Sequence, residues 1–162
     1  MSDPVNNFMD ALLGYTGLPN IDQTTNQATS VGNTGSSATD LMSYTLPGGT
    51  LAGNQAAGVV AAGTFAANGN TKTVVLSFGG TTIATITGAY NGTPWRIDAQ
   101  VFRKTDSSQI STVITYSGTP IVTALTNVSS SVVTSSDVEI LVTATGTATN
   151  DIVQTVLAVS LL

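Results

Sequence analysis

From Leu41 to the C-terminus the chain consists of short runs of Val, Ile, Thr and Ala, cut at close intervals by Gly, Asn, Asp and Ser. Runs of that length and composition form strands, and turns at that spacing fold them into an all-β sandwich or barrel. The pattern predicts strands over residues 43–46, 58–66, 71–78, 81–87, 95–103, 109–116, 121–128, 137–145 and 152–162. Several turns are specific. Phe78-Gly79-Gly80-Thr81 joins two strands by a two-glycine link, a tight-hairpin signal. Asn68-Gly69-Asn70 and Asn91-Gly92 offer the positive φ that turns need.

The alternation within strands assigns faces. Trp95, Ile97, Ala99 and Val101 point one way, and Arg96, Asp98 and Gln100 the other, so this strand is half-buried. Val138, Ile140, Val142 and Ala144 alternate with Glu139 and Thr143 in the same manner. The last strand differs. Val153, Leu157, Val159 and Leu161 fall with Thr155 on one mostly apolar face, while Ile152, Val156, Ala158 and Leu162 fall on the other. Two apolar faces need two buried surfaces. A subunit interface supplies the second, and a position at the centre of the sandwich under a loop is the alternative. The first of these readings assigns Val153, Leu157, Val159 and Leu161 to contacts between subunits.

Residues 1–40 have another texture, with Asp3, Asp10, Asp22 and Asp40 but no Lys or Arg. Asp3-Pro4 is a helix start, Asp as N-cap and Pro in the first turn. Val5, Phe8, Met9 and Leu12 then recur at helical spacing before Gly14. A helix this short is not stable alone in water, so its apolar face, Phe8, Met9 and Leu12, is expected to dock on a partner. The polar stretch that follows, to Asp40, reads as an extended linker. The organisation is thus a helix and tethering arm over 1–40 and a β-domain over 41–162.

Composition narrows the functions. Of 162 residues only 8% are charged, against a usual quarter, while 41% are hydrophobic. Weak self-repulsion suits an oligomer whose surface is partly interface. The net charge of −5 and four basic residues, Lys72, Arg96, Arg103 and Lys104, argue against nucleic acid and against an anionic membrane surface. No run approaches the length of a membrane-spanning helix, and Met-Ser-Asp-Pro does not begin a secretory signal.

The chain has no Cys and no His. That removes thiolate and Ser–His–Asp catalysis and the common zinc ligand sets. The remaining enzymatic possibility is a glycosidase-like carboxylate pair drawn from Asp98, Asp106, Asp137, Glu139 and Asp151. Asp137 and Glu139 share a strand face but read as a solvated strand start. No phosphate loop or dense calcium loop is present. No cofactor is expected, and the protein is read as a non-enzyme. Tyr90, near a loop tip, is the best aromatic for stacking on a glycan.

The order of pieces resembles the small trimeric jelly-roll domains of tailed-phage virion proteins: capsid decoration (cement) proteins, head fibres and tail fibres. The resembling pieces are Ser43-Tyr-Thr-Leu-Pro-Gly-Gly-Thr-Leu51, Gly63-Thr-Phe65, Asn68-Gly-Asn-Thr-Lys-Thr-Val-Val-Leu-Ser-Phe-Gly-Gly80, Trp95-Arg-Ile-Asp-Ala-Gln-Val-Phe-Arg103 and the long apolar closing strand. The resemblance spans 41–162 and implies an antiparallel jelly-roll sandwich, a homotrimer and a structural role in a virion. A short helix and arm ahead of one compact domain suit a decoration protein on the capsid surface, held by the major capsid protein. The alternative is a head or tail fibre domain that binds a host receptor or glycan.

Overall fold

The computed structural model describes residues 30–52, 55–118 and 122–162. The chain there forms ten strands and no helix. They are β1 (Val31–Thr34), β2 (Thr39–Leu46), β3 (Ala56–Phe65), β4 (Lys72–Phe78), β5 (Thr81–Gly88), β6 (Pro94–Thr105), β7 (Ser108–Ser117), β8 (Val122–Ser130), β9 (Val138–Thr145) and β10 (Thr149–Leu161). All pair antiparallel, in a six-stranded sheet of order β1-β10-β3-β6-β7-β8 and a four-stranded sheet of order β2-β9-β4-β5. The protein is therefore an all-β antiparallel sandwich. The helix expected around Phe8, Met9 and Leu12 lies outside the described residues.

The core follows the strand alternation. Val74, Leu76 and Phe78 of β4 and Val138, Ile140 and Val142 of β9 face Val59, Ala61, Trp95, Ile97, Val101 and Val113 of the larger sheet. Each larger side chain removed from water contributes roughly 1.5–3 kcal/mol. The β4–β5 hairpin is closed by Gly79 (φ 54°) and Gly80 (φ 76°), both left-handed, which lets the turn twist with its strands. Gly92 also has positive φ, 63°, but no residue of 68–70 does. The Asn68–Asn70 turn is held instead by its side chains, as described below.

Two features depart from the sequence reading. Residues 31–34, expected to be linker, form β1, paired with β10. The boundary expected after Asp40 falls inside β2. Asn33 explains why so polar a segment is held. Its buried side chain accepts from the Ile152 N–H (2.9 Å) and donates to the Gly35 and Ala148 carbonyls (2.9 Å each). The second departure is in β10. Its register against β3 slips between Gln154 and Val156, a β-bulge that exchanges the two faces. Ile152 and Gln154 point inward before it, and Leu157 and Val159 after it.

That bulge also explains a buried Gln. A bulge in β2, between Asp40 and Ser43, puts both Leu41 and Met42 in the core and takes the Met42 N–H out of the ladder. Gln154 Oε1 accepts from that N–H (3.1 Å), and its Nε2 donates to the Val156 carbonyl (3.0 Å) at its own bulge. One side chain thus satisfies backbone groups in both sheets. Beside it, Gly63 of β3 pairs with Gln154 and Trp95. A Cβ at Gly63 would abut the Val153 carbonyl oxygen, 2.8 Å from the Trp95 ring and 2.9 Å from the Gln154 Cα. Gly63→Ala is expected to cost about 1–3 kcal/mol or more, read as a lower midpoint in urea unfolding.

Candidate interaction surface

The two sheets have unlike outer faces. On the four-stranded sheet the outward residues are mostly hydroxylic. Thr85 and Thr87 of β5, Thr73 and Ser77 of β4 and Thr143 of β9 stand there, with Thr73 and Thr87 hydroxyls 3.1 Å apart and the half-buried Val75 and Leu141 set among them. On the six-stranded sheet the strand registers set out four rows. Val156, Ala62, Arg96, Tyr116 and Thr123 form one row, and Ala158, Val60, Asp98, Ile114 and Leu125 the next. Then come Ser160, Gly58, Gln100, Thr112 and Asn127, followed by Phe102, Ile110 and Ser129 beside the terminal Leu162. Three large apolar side chains stand exposed on this face: Leu125 (65%), Leu162 (59%) and Phe102 (38%).

Gly58, a small residue on β3, leaves the face with a trough of about 440 Å³ between Leu162, Val60, Asp98 and Ile114. Its main charges are adjacent. The Arg96 Nε–H donates to Asp98 Oδ1 at 2.8 Å, with the side chains 54% and 29% exposed. In water such a pair contributes little. A second layer over it would change that, because a desolvated Arg–carboxylate contact is strong when its remaining donors and acceptors are met.

A second cluster lies at one end of the sandwich, where the loops around 66–70, 89–92 and 146–150 converge. Lys72 continues the inward parity of Val74, Leu76 and Phe78, so its side chain is fully buried. Its ammonium donates to Asn68 Oδ1 (2.7 Å) and to the carbonyls of Tyr90 (2.8 Å), Asn70 (3.0 Å) and Asn68 (3.1 Å). Asn68 in turn donates from Nδ2 to Asp151 Oδ1 (2.7 Å). Asp151 also accepts from Asn70 Nδ2 and from the N–H groups of Thr147 (2.8 Å) and Ala148 (2.7 Å). Burial pushes the Asp151 carboxyl up. The Ala148 N–H, the Asn68 and Asn70 amides and the Thr147 N–H outweigh it and hold the group well below the usual carboxylate range. Neither charge reaches solvent, so the cluster ties loops together and offers nothing to a substrate.

The other singled-out residues are dispersed. Asp98 and Glu139 sit on the outer faces of opposite sheets. Asp137 accepts from the Gly48 N–H (2.8 Å). Asp106 anchors the 131–136 loop. The Ser135 hydroxyl (2.9 Å) does most to lower its pKa against desolvation, helped by the Thr134 hydroxyl, the Ser135 N–H and Arg103. Among the described residues no three Asp or Glu stand close enough to hold a metal ion. Tyr90 is half-buried and one face of its ring is already taken. Its ring lies against Phe65 at 4.6 Å and 7°, and its hydroxyl accepts from Ser117 (3.0 Å).

Of the four residues expected at a subunit contact on β10, Leu157 and Val159 need correction. Leu157 (2%) and Val159 (0%) are buried inside the sandwich of a single chain, and Leu161 packs against the same core. Val153 lies across the bulge from them and is half-buried on the outer side. The outward apolar residues of β10 are therefore Val153, Val156, Ala158 and Leu162. The bulge, which a strict two-residue period cannot anticipate, makes the difference. Phe8, Met9 and Leu12, expected to dock on a capsid, lie outside the described residues. No family model matches the chain, and no curated protein or solved structure is significantly similar to it.

Proposed function

We propose that the chain is a non-enzymatic virion structural protein: a homotrimeric jelly-roll that decorates and reinforces the head of a tailed phage. The observation that carries the reading is the pattern of strand pairs. The pairs β1·β10, β2·β9, β3·β6 and β4·β5 are the rungs of one long antiparallel ribbon turned at Gly79-Gly80. The β10·β3 and β4·β9 pairs roll that ribbon into two facing sheets, which is how a jelly roll is built. The β7–β8 hairpin widens one sheet beyond the basic eight strands. Further support comes from the low charge, which suits a subunit covered on several sides, and from the apolar residues Phe8, Met9 and Leu12 ahead of the polar arm. The major capsid protein is the proposed partner of that segment.

Quantitative mass spectrometry of purified particles tests the reading. A decoration protein is present at the same order of copy number as the capsid protein. A few copies per particle would instead favour the receptor- or glycan-binding fibre domain. The structure also says where a truncation must stop. Removing residues 1–40 would strip β1 and the Asn33 bonds, whereas removing residues 1–29 spares both. The shorter truncation, and Phe8→Asp with Leu12→Asp, are expected to keep a folded β-domain and to lose particle attachment in a co-sedimentation assay. Full occupancy by either variant would refute the tether.

A further inference from the structure

We infer that the outer face of the six-stranded sheet is where copies of this chain pack against one another, with Arg96 of each copy set against Asp98 of the next. The inference rests on the homotrimer proposed above and names its contact surface. Four observations on that face favour a second copy over another occupant.

The first is contrast. One outer face is built mostly of Thr and Ser, with the half-buried Val75 and Leu141 among them and, among the described residues, no large apolar side chain exposed, while the other carries the exposed Leu125, Leu162 and Phe102 together with the half-buried Ile110 and Ile114. Burial of the second removes more apolar surface from water than burial of the first. The second is charge. The rows hold one cation and one anion side by side, Arg96 and Asp98. A nucleic acid or an anionic surface would need an excess of cations, and a basic partner an excess of carboxylates. An identical face supplies both matching members. Arg96 uses its Nε–H on Asp98, and the other guanidinium N–H groups can reach a neighbour's carboxylate. In a ring each copy gives one cation and receives one, so the exchange closes without a leftover charge.

The third is extent. Five strands about 4.8 Å apart and four rows about 6.8 Å apart make roughly 650 Å² in plan, which a ring divides between two neighbours, so each pairwise contact is smaller than the ~800 Å² per partner of a standard two-body interface and the ring is held by the sum. The fourth is relief. Gly58 leaves a trough between larger side chains, lined on its sides by Leu162 and Ile114. An exposed leucine from a neighbouring copy fits such a trough, as apolar knobs fill holes at well-packed interfaces.

Sedimentation equilibrium of the full chain over a range of concentrations tests the contact. Wild type is expected at trimer mass. Ile114→Arg with Leu125→Asp is expected at monomer mass with an unchanged far-ultraviolet circular dichroism spectrum. Thr85→Asp with Thr143→Arg, on the opposite outer face, is expected to remain trimeric. The ion pair gives a milder probe that leaves packing alone. Arg96→Asp should raise the concentration of half-dissociation by roughly two orders of magnitude, and Arg96→Asp with Asp98→Arg should bring most of it back. A wild-type trimer with apolar-face and Arg96→Asp variants equally trimeric overturns the inference and leaves the trimer standing. A wild-type monomer at high micromolar concentration overturns the trimer itself.

Discussion

Lys72→Met is expected to lower the unfolding free energy by about 3–5 kcal/mol, the cost of removing one member of a buried charge cluster. Met keeps the length and apolar stem of the side chain, so packing in the end of the sandwich is nearly preserved. What is lost is the ammonium, whose three N–H bonds are shared among four oxygens at 2.7–3.1 Å. Its removal leaves the Asn68, Asn70 and Tyr90 carbonyls and Asn68 Oδ1 short of a donor in a part-buried setting. Urea unfolding should show a lower midpoint with an unchanged slope, since the surface exposed on unfolding is the same. Lys72→Arg should not restore stability. A planar fork cannot meet oxygens gathered around a point charge. A midpoint within error of wild type for Lys72→Met would show that the cluster contributes no net stability.

Asp151→Asn is expected to change the pH dependence as well as the stability. In the folded protein four donors hold the Asp151 carboxyl below its usual range, despite the upward push of burial. A carboxyl lowered on folding contributes stability that is present above its unfolded pKa, about 3.9, and is lost as pH falls through the folded value. Wild type should therefore be flat from pH 8 to about 5, where the chain has no His to titrate, and should weaken progressively in acid. Asp106, also lowered, contributes in the same sense. Asp151→Asn places an amide N–H₂ against groups that are all donors, so its midpoint at pH 7 should fall. Its further loss between pH 5 and 2 should be shallower than that of wild type, because one of the groups that drives it is gone. Urea midpoints at pH 7, 5, 4 and 3 make the comparison, and parallel profiles would rule out this role for Asp151. Since Asn68 bridges the two charges, Lys72→Met and Asp151→Asn should be less than additive when combined.

The candidate surface was only half legible in the chain. Alternation in β6 already puts Arg96, Asp98 and Gln100 on the side away from the core. Nothing local says that Val60, Ile114, Leu125 and Ala158 share a row with Asp98, because those residues come from four other strands. The Lys72 cluster was less legible still. Its members span residues 68–151, and although Lys72 shares the parity of Val74, Leu76 and Phe78, nothing local supplies the Asn68, Asn70 and Tyr90 oxygens that let a charge be buried there.

The sequence by itself determined the strands and most of their faces. A period of two in β-branched and apolar residues, closed by Gly-Gly and Asn-Gly turns, admits only antiparallel strands with one side in a core. The nine expected strands all lie where strands form. Tertiary structure alone decided β1, whose strand formers Val31 and Thr34 are interrupted by Gly32 and Asn33 and which is kept in place by Asn33 and the edge of β10. It also decided which residues of β10 face out. Local alternation assumes an unbroken ladder, and a bulge stabilised by a buried Gln154 shifts the ladder by one residue. That shift moves Leu157 and Val159 into the core and leaves Val153, Val156, Ala158 and Leu162 on the outside, because a residue's face is set by its partner strand as much as by its own neighbours.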